Sequence, residues 1–318
     1  MRTLRLPPLA IVIIAVGSLA QGLFAAEPKW TLRPGPDGVT VVAPSGRDVF
    51  GYLKTKPAGS ALSAKSACGI YPLLTPSGQS VAALAPKDHP HHRGVFFAWY
   101  RVDGFAKADF WGWGAHAPTE DRRIVNTSLR MEEKSADQGR LLVENEWRVA
   151  DQVMLREALT VTSRTLPEGN WHELTFVLTP VGEITVPRAA FSGFCVKCEA
   201  GADPQVSSPD GPVKLPAPKH DDPSTGWPDA AWYDYTARLG TGKTAGVAVL
   251  SHPSNPPTRW HNPVGIAMMN PCLLMDGDLK LHPRRPLTLR YAVFAHDGPV
   301  PAVALDRLAK EYRAQSAK

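Results

Sequence analysis

Apolar and polar positions alternate with a period of two along several stretches, the pattern of strands half-buried in a sheet. In 171–179, His172, Leu174, Phe176 and Leu178 fall on one face, and in 287–296, Leu287, Leu289, Tyr291 and Val293 do the same. Similar strands are expected at 39–42, 95–100, 140–149, 153–163, 231–239 and 244–251, and the apolar run 190–198 also reads as a strand. Tight-turn residues separate them, as in Pro34-Gly35-Pro36-Asp37-Gly38, Pro167-Glu168-Gly169-Asn170 and Gly240-Thr241-Gly242-Lys243. This succession predicts a mainly β fold, an antiparallel β-sandwich. One helix is expected, at the C-terminus from residue 302, where Leu305, Leu308, Ala309 and Tyr312 recur at helical spacing.

The N-terminus departs from that pattern. Arg2 and Arg5 precede an apolar run from Leu9 to Ala20, and Ala25 and Ala26 precede the polar Glu27. This is the layout of a secretory signal. The run is shorter than the roughly 20 residues a membrane-crossing helix needs. Residues 1–26 are therefore expected to be a leader that is removed, with a retained tether as the alternative, and 27–318 to form one domain. No later stretch is long and apolar enough to span a membrane. The expected location is secreted or periplasmic. The formal charge of +5 includes the two leader arginines, and the other basic residues are scattered, which speaks against a nucleic-acid partner.

Cys68, Cys195, Cys198 and Cys272 would allow up to two disulfides in an oxidising compartment. Cys195 and Cys198 imitate a C-x-x-C site, but residues three apart on a strand face opposite sides. Buried free thiols are the favoured expectation. The stretch 207–228 holds six prolines and reads as a long surface loop of the kind that shapes binding sites.

The densest chemistry is Asp88-His89-Pro90-His91-His92-Arg93-Gly94, leading into the strand at 95. Pro90 biases His89 to an extended form, so His89 and His91 are expected on one side and His92 on the other. Two uses fit. His89 and His91 could hold a divalent transition metal with a third ligand from elsewhere, or the imidazoles and Arg93 beside Asp88 could bind and protonate the oxygens of a polar substrate. Companions are Asp109-Phe110-Trp111-Gly112-Trp113-Gly114 with His116, a composition suited to stacking on a flat or sugar-like ligand or to plugging the core. Others are His252-Pro253-Ser254-Asn255, Trp260-His261, Asn270-Pro271 and His296-Asp297-Gly298. The chain has no phosphate loop, dinucleotide fingerprint, G-x-S-x-G elbow or H-E-x-x-H helix.

Those motifs together resemble the PmoA-like family of exported bacterial proteins, over roughly residues 30–312. The family takes its name from a methane monooxygenase subunit, an integral membrane protein with several spanning helices. This chain has no such helices, so methane oxidation does not follow from the resemblance. The resemblance implies a galactose-mutarotase-like supersandwich and a carbohydrate ligand. In mutarotase-like enzymes a histidine acid and a carboxylate base exchange protons with a sugar ring. That implies His92 or His252 as acid, whereas no glutamate stands in a recognised motif to act as base.

The leading expectation is an exported carbohydrate-active protein that hydrolyses, eliminates from or epimerises a sugar. Its catalytic candidates are His92, His252, His91, Arg93 and Asp88, and its substrate-binding candidates are Trp111, Trp260, His261, Asn255 and Asn270. One alternative is a metal-dependent, oxygenase-like enzyme using His89 and His91 with His252, His261 or His296. Another is a non-catalytic glycan-binding module. All three require the remote loops to meet in one cavity.

Overall fold

The computed structural model describes residues 29–135 and 137–315; the expected leader lies outside the described residues. Strands dominate, and every recorded strand pairing is antiparallel. A nine-stranded sheet runs, in spatial order, Gly211–Pro212, Ala202–Ser208, Tyr233–Arg238, Thr244–Ser251, Leu287–Asp297, Gly169–Pro180, Gln152–Thr165, Gln138–Val149, Arg122–Ser135. A seven-stranded sheet runs Thr31–Pro34, Gly38–Val42, Asp48–Leu53, Gly69–Leu73, Val95–Ala98, Gly193–Lys197, Met268–Met269. The inner faces of the two sheets meet through aromatic rings. Phe97 lies 5.1 Å from Phe176, and Phe194 stacks on Tyr291 at 4.2 Å. Each such pair contributes about 0.5–1.5 kcal/mol beyond its buried area.

The alternating residues behave as their spacing requires. His172, Leu174, Phe176 and Leu178 are all buried, as are Leu289, Tyr291 and Val293. The outer face of strand Leu287–Asp297 is also covered, because the helix Ala302–Arg313 packs Leu305, Leu308, Ala309 and Tyr312 onto Trp171, Ala292 and Phe294. One carboxylate, Glu157, sits in the inner core. It accepts hydrogen bonds from Asn145 Nδ2 at 2.8 Å and Trp147 Nε1 at 2.8 Å, and burial pushes its pKa up to about 6.

Two expectations change, and the favoured reading of the cysteines holds. The strand foreseen over 95–100 ends at Ala98, because the Trp99 carbonyl accepts from the Phe110 and Trp111 amides instead of continuing the ladder. Strand Arg122–Ser135 was not foreseen. A bulge between Asn126 and Ser128 shifts its register and breaks the alternation that would have marked it. The four thiols are buried and free; burial pushes Cys68 and Cys272 up to about 12. The disulfide alternative is not realised.

Candidate functional site

At one end of the sandwich the chain turns sharply before strand Val95–Ala98. The His92 amide donates to the His89 carbonyl at 3.0 Å, closing a β-turn with Pro90 at its second position, where a fixed φ is already suitable. Gly94, at φ 68°, ends the turn, and a Cβ there would collide with the Ile70 carbonyl. The turn gathers the imidazoles in place of the expected split of His92 from His89 and His91. Ring centroids are 4.6 Å apart for His91 and His92, 5.0 Å for His89 and His92 and 5.8 Å for His89 and His91. All three rings line one cavity of about 450 Å³.

His261 lines the same cavity from a segment far along the chain. Strand Arg259–Trp260 pairs with Pro271–Cys272, and the His261 amide donates to the Asn270 carbonyl at 2.9 Å. This places the His261 ring 5.5 Å from Phe191, which also lines the cavity. Asn270 itself is a buried clip. Its Oδ1 accepts from the Ser192 amide at 3.0 Å and its Nδ2 donates to the Ser192 and Phe194 carbonyls.

A third wall comes from the loop after Asp109. The Asp109 carboxylate accepts from the Gly112 and Gly114 amides, each at 2.7 Å. Arg93 donates to the carbonyls of Trp111 at 2.9 Å and Phe110 at 3.0 Å. Between them these two charged groups set the course of the loop. Trp111 is turned inward and fully buried, against Phe96, His92 and Phe191. Trp113 is half-buried and lines the cavity, with Phe191 at 5.6 Å and His220 at 6.1 Å. The proline-rich loop closes the mouth with Lys219, His220 and Asp221. Phe191, Lys219, His220 and Asp221 were not among the site residues expected from the sequence, and within the Asp109–Gly114 run Trp113 takes the stacking place expected of Trp111. The proline density of 207–228 had marked that loop as one that shapes a site.

Burial sets the charge of the imidazoles. His91 is pushed down to about 4 by desolvation, then by the charges of His89, Arg93 and Lys197. His261 is pushed down to about 4 by desolvation and by His220. His92 lies far below its ordinary value for the same first reason. At neutral pH these three rings are therefore uncharged, each offering one donor and one acceptor. Arg93 is lowered to about 10 by burial and stays protonated. Asp88 is exposed and holds His89 Nδ1 at 2.9 Å. Burial opposes its ionisation, but His89 and Lys197 carry its pKa below the usual carboxylate value.

The remaining expected residues lie elsewhere. His252 bonds Ser254 Oγ through Nδ1 at 2.7 Å and sets its ring edge-on to Tyr312 of the helix at 5.0 Å. Asn255 brackets the Arg290 backbone, donating to its carbonyl at 2.7 Å and accepting from its amide at 2.8 Å. Trp260 is buried against Tyr233 at 5.0 Å. His296 is buried, with Nε2 2.9 Å from Asp234 Oδ1. The metal alternative needed His252, His261 or His296 beside His89 and His91, and only His261 lines their cavity. Among the described residues no group of three or more His, Cys, Asp or Glu side chains is arranged to hold a metal ion.

The architecture is that of an antiparallel β-sandwich with a histidine-lined cavity at one end. A family model described as a family of unknown function, DUF6807, matches residues 40–310, and the chain belongs to that family. That family's description names no activity and does not carry the PmoA-like label. The chain matches no curated protein. Among solved structures it is similar to a galactose mutarotase related enzyme from Lactobacillus acidophilus, at 8% identity over 84% of this chain and 97% of that one, with a TM-score of 0.36. It is also similar to a galactose mutarotase-like protein from Lactobacillus casei, at 8% identity over 84% and 100% of the two chains, with a TM-score of 0.34. A third is an α-galactosidase from Geobacillus stearothermophilus, at 9% identity over 84% and 39%, with a TM-score of 0.39. No helix among the described residues is long and apolar enough to cross a membrane.

Proposed function

We propose that this cavity binds a carbohydrate and transforms it by proton transfer. The observation that carries the reading is the meeting of His89, His91, His92 and His261, from two distant segments, around one cavity that also presents Trp113. A pyranose ring has an apolar face and a belt of hydroxyls. An indole takes the first by stacking, and uncharged imidazoles take the second as paired donors and acceptors.

Asp88 fixes the His89 ring through Nδ1, leaving Nε2 to accept a proton from the ligand, as an oriented general base does. His261, on the other wall, is the partner that handles the second proton. Hydrolysis by two flanking carboxylates fits poorly, since among the described residues Asp221 is the sole carboxylate in the lining. Elimination or epimerisation is the better match. The export inferred from residues 1–26 and the PmoA-like resemblance belong to the same proposal, which sets the protein to work on glycans outside the cytosol.

The test is product formation from a panel of mono- and oligosaccharides, followed by mass spectrometry, for the wild type and for His89→Gln and His261→Gln. Each substitution is expected to lower turnover by about 10²–10⁴-fold with little change in melting temperature. Unchanged turnover in both variants would reject the acid–base roles. Binding without any product would leave a glycan-binding module.

A further inference from the structure

We infer that the ligand of this cavity is a sugar acid, a uronate whose carboxylate faces the floor formed by His91 and His92 in front of Lys197. The inference rests on the carbohydrate reading above and adds the charge of the substrate. It comes from two buried cations that the protein itself does not pair.

Lys197 ends strand Gly193–Lys197 and is 2% exposed. Its Nζ donates to the carbonyl of Ile266, a residue of the cavity lining, and its strand partner Met268 lines the cavity as well. Arg93 is completely buried outside the lining, and its guanidinium donates only to main-chain carbonyls. Among the described residues neither cation forms an ion pair. The carboxylates that face them act through space alone: Asp109 and Glu157 on Arg93, Asp88 and Glu199 on Lys197. Asp88 is exposed and engaged with His89, and Glu157 is engaged with Asn145 and Trp147.

A buried charge without a partner is costly to the fold, and the cost is relieved when an opposite charge arrives in the same low-dielectric region. The cavity mouth does not provide it, because exposed Lys219 and Asp221 offset one another there. The floor therefore stays positive while the mouth is neutral. Lys197 stands behind the lining through its bond to the Ile266 carbonyl, and its charge lowers the pKa of both His91 and His92. His92 and His261 add polarity without charge; the Nδ1 atom of each is buried and makes no hydrogen bond within the protein. A neutral sugar would satisfy the imidazoles and leave the two cations as they are. A sugar carboxylate held at His91 and His92 brings the opposite charge to rings on which both cations act.

Isothermal titration calorimetry on the full chain decides the matter, using D-glucuronate and D-galacturonate against D-glucose and D-galactose, with succinate as a carboxylate that is not a sugar. At about 20 mM salt each acid is expected to bind about tenfold more tightly than its neutral counterpart, the order one incompletely screened charge contact supports. At about 500 mM salt that advantage shrinks several-fold. Lys197→Met removes most of it. Should that variant fail to fold, the acid-to-neutral ratio and its salt dependence in the wild type still decide. Equal affinity for acid and neutral sugars overturns the charge assignment and leaves the carbohydrate reading standing. Succinate binding as well as the uronates overturns the sugar acid, and binding of no sugar at all overturns both readings.

Discussion

Two loops of this chain carry nearly the same chemistry, a histidine followed by proline and polar side chains, and the fold uses them in opposite ways. At His89-Pro90-His91-His92 the proline sits inside a β-turn that wraps three imidazoles around a cavity. At His252-Pro253-Ser254-Asn255 the histidine bonds its own loop and packs under Tyr312, while Asn255 imitates a strand neighbour for Arg290. The second loop is closed by the C-terminal helix; the first is left open because the proline-rich loop arches over it without filling it. Residue type proposes a chemistry, and what packs on top determines whether a ligand can reach it.

The sharpest way to break this contrast is to exchange the expected phenotypes. The His89 and His261 substitutions described above should abolish most turnover, whereas His252→Ala should leave turnover within about twofold and lower stability by about 1–2 kcal/mol through lost packing on Tyr312. Chemical denaturation and turnover measured side by side would show it, and a dead but stable His252→Ala protein would refute the division.

The neighbouring tryptophans give the next largest effect. Trp111→Ala should cost about 3–5 kcal/mol of stability by opening a void against Phe96 and Phe191. Trp113→Ala should change stability little and weaken sugar binding about tenfold, the scale of an aromatic anchor. Thermal melts and a sugar titration read by tryptophan fluorescence separate the two.

The smallest effect is in pH. His91 and His261 have folded values of about 4, below the roughly 6.5 of an unfolded histidine. Between those values the unfolded chain binds more protons, so their contribution is present in full above about 6.5 and is lost as the pH falls toward about 4. The melting temperature is expected to drop across that window, and the drop should be shallower in His91→Gln. A flat melting temperature from pH 7 to 4 would show that these rings are not held uncharged.

Much of the sheet framework was legible from alternation alone, because a strand with one face in the core must repeat every second residue. Strands Gln138–Val149, Gln152–Thr165, Gly169–Pro180 and Leu287–Asp297 were read by that rule, and the helix from Ala302 by its 3.6-residue period. Strand Arg122–Ser135 escaped because a bulge resets its phase. The histidine turn was legible as chemistry but not as geometry. A proline before His91 argued for extension, and the hydrogen bond that closes the turn is visible only in three dimensions.

What the amino-acid order determined by itself is therefore local: which segments form strands, where the terminal helix starts, and which short runs concentrate imidazole and indole groups. Tertiary structure alone decided that His261 joins the 89–92 turn while His252 does not, and that Trp113 faces the cavity while Trp111 fills the core. The physical reason is that strand periodicity comes from neighbours two residues apart, whereas a cavity is made by segments well over a hundred residues apart whose approach is governed by sheet order. The same approach leaves Lys197 and Arg93 buried behind the imidazoles, a charge arrangement that no local stretch of the chain contains.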